Sequence, residues 1–259
     1  MFSVDFTLRN FEYFLLILVR ISMFVVVAPF FNTRNTPGRV KVGFSAIVSF
    51  MLFFVVDLGT LNYQSVLGYA SLVLREAITG LMIGFAAYVC QTIILYAGTL
   101  IDMDIGISMA QEFDPTFGTQ VSITGNLYNY AILLLLIVSD MHRYIFRAIC
   151  DSFVLIPVGG TIFRTDSLLL TMTAFLGKLF VLAFRIMLPV FAVIMVLNCV
   201  LGIMAKVSPQ MNMFAIGMQI KILVGFAVLF LTVMLLPQIA DMVFSEMRDM
   251  MIKIIEGLS

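Results

Sequence analysis

VLGYASLVLREAITGLMIGFAAYVCQTIILYAGTLI, residues Val66 to Ile101, is almost wholly apolar, and its reading decides the fold class. The run exceeds the roughly 20 residues that carry an α-helix across a ~30 Å hydrocarbon core at ~1.5 Å per residue. Gly80 and Gly84 punctuate it, which predicts a bent hairpin. The same two glycines form a GxxxG face that a second helix could approach closely. Five further apolar segments flank this one: Tyr13–Phe31, Val42–Leu58, Leu127–Ser139, Leu168–Ala205 and Ile222–Ala240. Leu168–Ala205 is also too long for one untilted span, and Lys178, Arg185 and Pro189 interrupt it, predicting a second bent hairpin. Leu127–Ser139 is short unless it borrows from the residues before it.

Composition agrees with an integral membrane protein. The chain is 62% hydrophobic and 12% charged, against about 25% charged in a soluble domain. Lys+Arg 15 balance Asp+Glu 15, which leaves no basic surplus for nucleic acid and no acidic tail. Cys90, Cys150 and Cys199 lack metal-ligand or redox spacing and read as small buried hydrophobes. Asp5, Arg9 and Glu12 precede an apolar run too long for a signal-peptide core, so the first segment is expected to stay in the chain. Arg34, Arg39 and Lys41 favour a cytoplasmic first loop, but Arg143, Arg147, Lys206 and Lys221 mark other loops too, so charge assigns no topology.

Arg20, Arg75, Glu76, Lys178 and Arg185 lie within the apolar segments. On insertion scales a buried charge costs roughly 2.5–3.5 kcal/mol, so each asks for a partner or a cavity. Arg75 and Glu76 are about 100° apart on a helix and are expected to pair with other segments, not with each other. Lys178 and Arg185, two turns apart, share a face. Two readings stand for these groups: a polar seam at a helix or subunit interface, and snorkelling toward the membrane surface.

Enzyme chemistry finds little to use. His142 stands alone, and no HExxH, phosphate loop or intramembrane aspartate pair occurs. Ser139, Asp140 and His142 read as a helix cap and its turn, not as a catalytic set. No catalytic, cofactor or metal residues are expected. A small-solute transporter is the main rival; it needs broken helices, for which Pro189, Asn198, Gly202 and Pro237 are candidates, and an internal repeat, which is not found.

The final DMVFSEMRDMMIKIIEGLS, residues 241–259, alternates charged and apolar positions. It reads as an amphipathic helix on a membrane surface or against a partner, or as a solvated continuation of the last span. The central segment, 102–126, is the other departure. It is acidic through Asp102, Asp104, Glu112 and Asp114, then carries no charge until Asp140. Loops beyond about 12–15 residues are usually functional or disordered, and Met109, Phe113, Phe117, Val121 and Ile123 argue against disorder. Non-helical backbone at membrane depth persists only where protein buries it or a cavity solvates it. Both a packed interhelical loop and a pore-lining or pore-occluding loop satisfy that condition.

Four elements, in order, resemble the FliR family, the R component of the flagellar type III protein-export gate, whose cousins serve injectisomes. Phe31, Asn32, Pro37, Arg39, Val40 and Lys41 look like its first loop, and Arg75, Glu76, Gly80 and Gly84 like its third segment. Gly106, Met109, Ala110, Phe113, Asp114, Pro115, Gly118, Gln120, Val121 and Gly125 look like its central loop. Pro209, Gln210, Met211 and Asn212, followed by Gly217 and Lys221, look like the loop before its last span. Met141 departs from the pattern, standing where glycine is expected. The resemblance implies an all-α, membrane-associated subunit without enzymatic activity, in long, bent helical hairpins that wrap as part of a tilted spiral. It implies one copy per gate with FliP and FliQ, contact with FlhB, membrane lipid around it, and a conduit for unfolded export substrates. It further implies a location in the bacterial inner membrane at the flagellar basal body, and a central loop that plugs the conduit. The plug candidates are Gly106, Met109, Phe113, Asp114, Pro115, Phe117, Gly118 and Gln120. The interface charges are Arg75, Glu76, Lys178 and Arg185.

Overall fold

A computed structural model describes residues 8–29, 31, 36–56, 61, 63, 65–108, 122–208, 210 and 212–259. The fold is all-α, with no strand among the described residues. The helices are α1 (Leu8–Val27), α2 (Gly38–Phe53), α3 (Val66–Ile105), α4 (Ile123–Val138), α5 (Met141–Leu155), α6 (Thr165–Val207), α7 (Met213–Thr232) and α8 (Leu236–Leu258), with a 3-10 turn at Val233–Leu235 joining the last two.

Two expectations need correction. The runs read as bent hairpins are single helices: α3 continues through Gly80 and Gly84 for 40 residues, and α6 through Pro189 for 43. A helical glycine costs only about 1 kcal/mol, whereas breaking a helix in lipid strands backbone groups at several kcal/mol each. Among the described residues the six segments also reduce to four helices long and apolar enough to cross a membrane: Arg9–Val27, Val66–Ile105, Thr165–Val207 and Phe214–Leu258. The other two are 16-residue helices, α2 and α4, each only about 24 Å long. Leu127–Ser139 does borrow from the preceding stretch, since α4 starts at Ile123 behind a Ser122 cap.

The chain divides into two compact units, one formed by Met1–Val89, Asp140–Phe175 and Ser245–Ser259, the other by Cys90–Ser139 and Leu176–Phe244. In the first, the GxxxG face meets α1 directly. A Cβ on Gly80 would collide with the Arg20 carbonyl, and one on Gly84 would lie 2.9 Å from the Phe24 carbonyl. Absence of side chains at these positions is what lets the two backbones touch. An aromatic cluster of Phe24, Phe31, Phe44 and Phe146 fills the space beyond, with Phe31 and Phe44 ring centres 4.8 Å apart. The end of α8 also belongs here. Met247, Met250, Met251, Ile254 and Ile255 are buried while Arg248, Asp249, Lys253 and Glu256 are exposed. The Ile162 N–H donates to the Leu258 carbonyl at 3.1 Å, and Gly257 lies against the Leu168 side chain. The apolar stripe of this segment is covered by the chain's own residues, with its charged positions outward.

In the second unit, α3 and α4 cross at glycine on glycine: Gly98 and Gly125 approach so closely that a Cβ on Gly98 would overlap the Gly125 backbone. Gln91 Nε2 donates to Asn129 Oδ1 at 2.8 Å one turn farther along α4, and the Tyr128 and Thr232 hydroxyls share a 2.8 Å hydrogen bond. Buried polar groups in an apolar surrounding need such partners, and here each pair joins two helices.

Candidate functional site at the base of the central segment

Asp102 sits in the last turn of α3 and is 1% exposed. A carboxylate is ill placed there, because a helix C-terminus already carries partial negative charge. The start of α4 supplies the compensation. Ser122 Oγ donates to Asp102 Oδ2 at 2.8 Å, and the Thr124 N–H donates to the same carboxylate at 3.3 Å. Ser122 Oγ in turn accepts the Gly125 N–H at 2.8 Å, so one hydroxyl caps α4 and anchors it to Asp102. On the outgoing side, Gly106 adopts a left-handed φ of 95° and its N–H donates to the Asp102 carbonyl. Ser108 Oγ donates to that carbonyl as well, at 3.3 Å. The chain thus leaves α3 and enters α4 on the backbone and side chain of one residue.

Of the central-loop candidates, Gly106 is described and supplies the left-handed turn that ends α3. Met109, Phe113, Asp114, Pro115, Phe117, Gly118 and Gln120 lie outside the described residues. In the later loop motif, Asn212 caps α7 by accepting the Ala215 N–H at 3.4 Å and Gln210 lies in a turn. Pro209 and Met211 lie outside the described residues.

The four charges expected at an interface separate into two kinds. Glu76 is wholly buried and grips the wholly buried Arg20 of α1 through both carboxylate oxygens. Glu76 Oε1 also accepts the Gly159 N–H at 2.8 Å. Arg20 Nη1 donates to the Ile156 carbonyl at 3.0 Å, and the guanidinium lies 4.2 Å from the Phe153 ring centre. Nearby, the Thr79 and Thr161 hydroxyls are 3.1 Å apart. Glu76 therefore pairs with another segment, while the adjacent Arg75 is exposed, as are Lys178 and Arg185 on α6. Asp140, expected as part of a cap, occupies a left-handed turn at φ 57°, and its carboxylate goes to exposed Arg143 at 3.2 Å instead of capping α5.

The broken helices that a transporter would need do not occur at the residues proposed for them. Pro189, Asn198 and Gly202 all lie within unbroken α6. Pro237 falls in the first turn of α8, where a missing N–H costs little.

Asp102 as an anchor was missed in the sequence, where it reads as one more acid in an acidic stretch. The available signal was Ser122 immediately before an apolar helical run, an N-cap pattern that demands a fixed start for α4.

Comparison with known proteins places this architecture. The family model described as bacterial export proteins, family 1, matches residues 11–247. The chain is 31% identical to the flagellar biosynthetic protein FliR of Bacillus subtilis, covering 91% of each chain. It is 29% identical to the protein of that name from Pectobacterium carotovorum, over 93% of this chain and 92% of the relative. Against the Escherichia coli FliR protein identity is 23%, over 93% and 92%. Similarity so nearly end to end means that the chain belongs to the bacterial export protein family that includes the flagellar biosynthetic proteins FliR.

Proposed function

We propose that this chain is a non-enzymatic subunit of the flagellar type III export gate, forms part of the conduit for unfolded substrates, and uses its central loop to help close that conduit. The observation that carries the loop reading is the double anchorage on Asp102. A segment flanked by Ser108, tied to the Asp102 carbonyl, and by Ser122, tied to the Asp102 carboxylate, starts and ends at one buried residue, as a closure that yields and returns requires. Phe113 and Phe117, four apart, supply its apolar bulk, and Gly106, Gly118 and Pro115 set its bends. FliP and FliQ are the assembly partners, with FlhB in contact, in the bacterial inner membrane at the flagellar basal body. Extensive apolar exposure along α6, at Leu170, Phe180, Val181, Phe184 and Leu188, supports burial by such partners or by lipid.

The test is deletion of residues 109–120 followed by measurement of ion leak through the assembled gate. A raised leak is expected; an unchanged leak in a complex of normal mass removes the plug. Native mass measurement in mild detergent tests the assembly separately, with one copy of this chain expected in a large complex and a lone monomer speaking for a transporter.

A further inference from the structure

We propose that a cleft in the second unit binds the headgroup of a phospholipid bearing a primary amine. The cleft has a volume of about 410 Å³ and opens where the C-terminal end of α3, the C-terminal part of α6 and the N-terminal part of α7 converge. Pockets of roughly 300–1,000 Å³ hold small ligands, and the meeting of three apolar helix ends is where a membrane-spanning protein faces the headgroup layer. The inference concerns lipid and is independent of how an export gate uses the chain.

The lining fixes the chemistry. Asp104 presents a buried Oδ2 with no hydrogen-bond partner among the described residues. A carboxyl oxygen removed from water without a donor is unfavourable, so this atom asks for an N–H. Lys221 lines the same cleft and attracts Asp104 electrostatically. Its ammonium has three donors, more than one carboxylate needs, and is matched to a phosphate oxygen. The Asn198 amide adds a further polar group, and Leu201, Phe214 and Met218 provide an apolar wall. An anion acceptor, a cation and an apolar wall together describe an amphipathic ligand with an ammonium, a phosphate and an acyl chain. A trimethylammonium headgroup has no N–H for Asp104, and an anionic headgroup brings no cation to it, so the primary amine is specified.

The test uses the full-length chain in its native complex, incubated in mixed micelles with equimolar phosphatidylethanolamine, phosphatidylcholine and phosphatidylglycerol, with bound lipid counted by native mass spectrometry. Phosphatidylethanolamine is expected to be retained about tenfold over the other two, a preference worth about 1.4 kcal/mol. Asp104→Asn should abolish that preference, and Lys221→Gln should lower retention of all phosphate headgroups. Gly202 lines the cleft, and a Cβ there meets no atom within 4 Å. Gly202→Leu therefore adds bulk to the cleft from a position with room for its first carbon and should displace the lipid, and it carries the test if the aspartate variant fails to fold. Equal retention of the choline lipid, an unchanged preference in Asp104→Asn, or full retention in Gly202→Leu overturns the proposal. Binding of soluble phosphoethanolamine with no retention of the lipid would overturn the lipid assignment in favour of a free amine phosphate.

Discussion

Arg20 of α1 and Glu76 of α3 are both wholly buried, and the guanidinium meets the carboxylate with two nitrogens on two oxygens. The pair draws in the Gly159 N–H and the Ile156 carbonyl, so it ties the stretch after α5 to the α1–α3 crossing. Removing one member leaves the other charged and unmatched. Glu76→Gln is expected to lose about 3–5 kcal/mol of stability, read as a fall in the unfolding midpoint of the detergent-purified protein. Arg20→Lys should be nearly as damaging, because a point ammonium cannot reproduce the two-pronged contact. Replacing both, Arg20→Met with Glu76→Leu, should cost less than either single change. Additive losses would mean that the pair acts as two independent side chains.

Gly80 and Gly43 give a matched contrast within the first unit. A Cβ on Gly80 runs into the Arg20 carbonyl, whereas one on Gly43 meets nothing within 4 Å. Gly80→Ala should force the α1–α3 crossing apart and lower the unfolding midpoint. Gly43→Ala, in the middle of α2, should stabilise by roughly 0.5–1 kcal/mol through helix propensity. Equal effects from the two would show that close approach at Gly80 contributes nothing.

Ser122 both caps α4 and donates to Asp102. Ser122→Ala is expected to cost about 0.5–2 kcal/mol, the range of a lost N-cap. If the central loop closes a conduit, Ser122→Ala and Asp102→Ala should raise resting ion leak while leaving the mass of the assembled complex unchanged. Wild-type leak in both variants would count against the anchor.

Cys150 is half-buried on α5; burial pushes its thiol pKa up and the neighbouring Asp151 adds to that. A raised thiol pKa means less thiolate at any given pH, so alkylation should become appreciable only at higher pH than for an ordinary exposed cysteine. The midpoint of the iodoacetamide rate against pH, followed by mass spectrometry at the Cys150 peptide, checks the direction. Asp151→Asn should move that midpoint down.

Arg185 is exposed on α6 among apolar neighbours, Phe184 and Leu188 among them. If it belongs to a seam between subunits, Arg185→Glu should reduce co-purification of FliP and FliQ several-fold. Normal assembly with altered export would place it on the conduit instead.

How much of this was legible in the sequence follows from which forces are local. Helicity and membrane association were readable in Val66–Ile101, because apolar length is a property of the chain itself. Continuity of α3 was not, since Gly80 and Gly84 look like breaks until α1 is placed against them. That Glu76 would pair outside its own neighbourhood followed from helix geometry, but its partner Arg20 lies 56 residues away and could be found only in the fold. Asp102 was obscured by its acidic neighbours: Asp104 and Asp102 share a composition, yet one is tied to α4 and the other opens onto a cleft.

The length of α6 has a consequence for how the cell makes this protein. Its 43 residues reach about 64 Å, roughly twice the ~30 Å that lipid can cover. A newly synthesised copy therefore has more greasy helix than the bilayer can shelter, and if the partners proposed above cover the surplus, it becomes safe only when they arrive. On that reading, synthesis in step with those partners is written into the chain's dimensions, and a copy made alone is the expected target of membrane quality control.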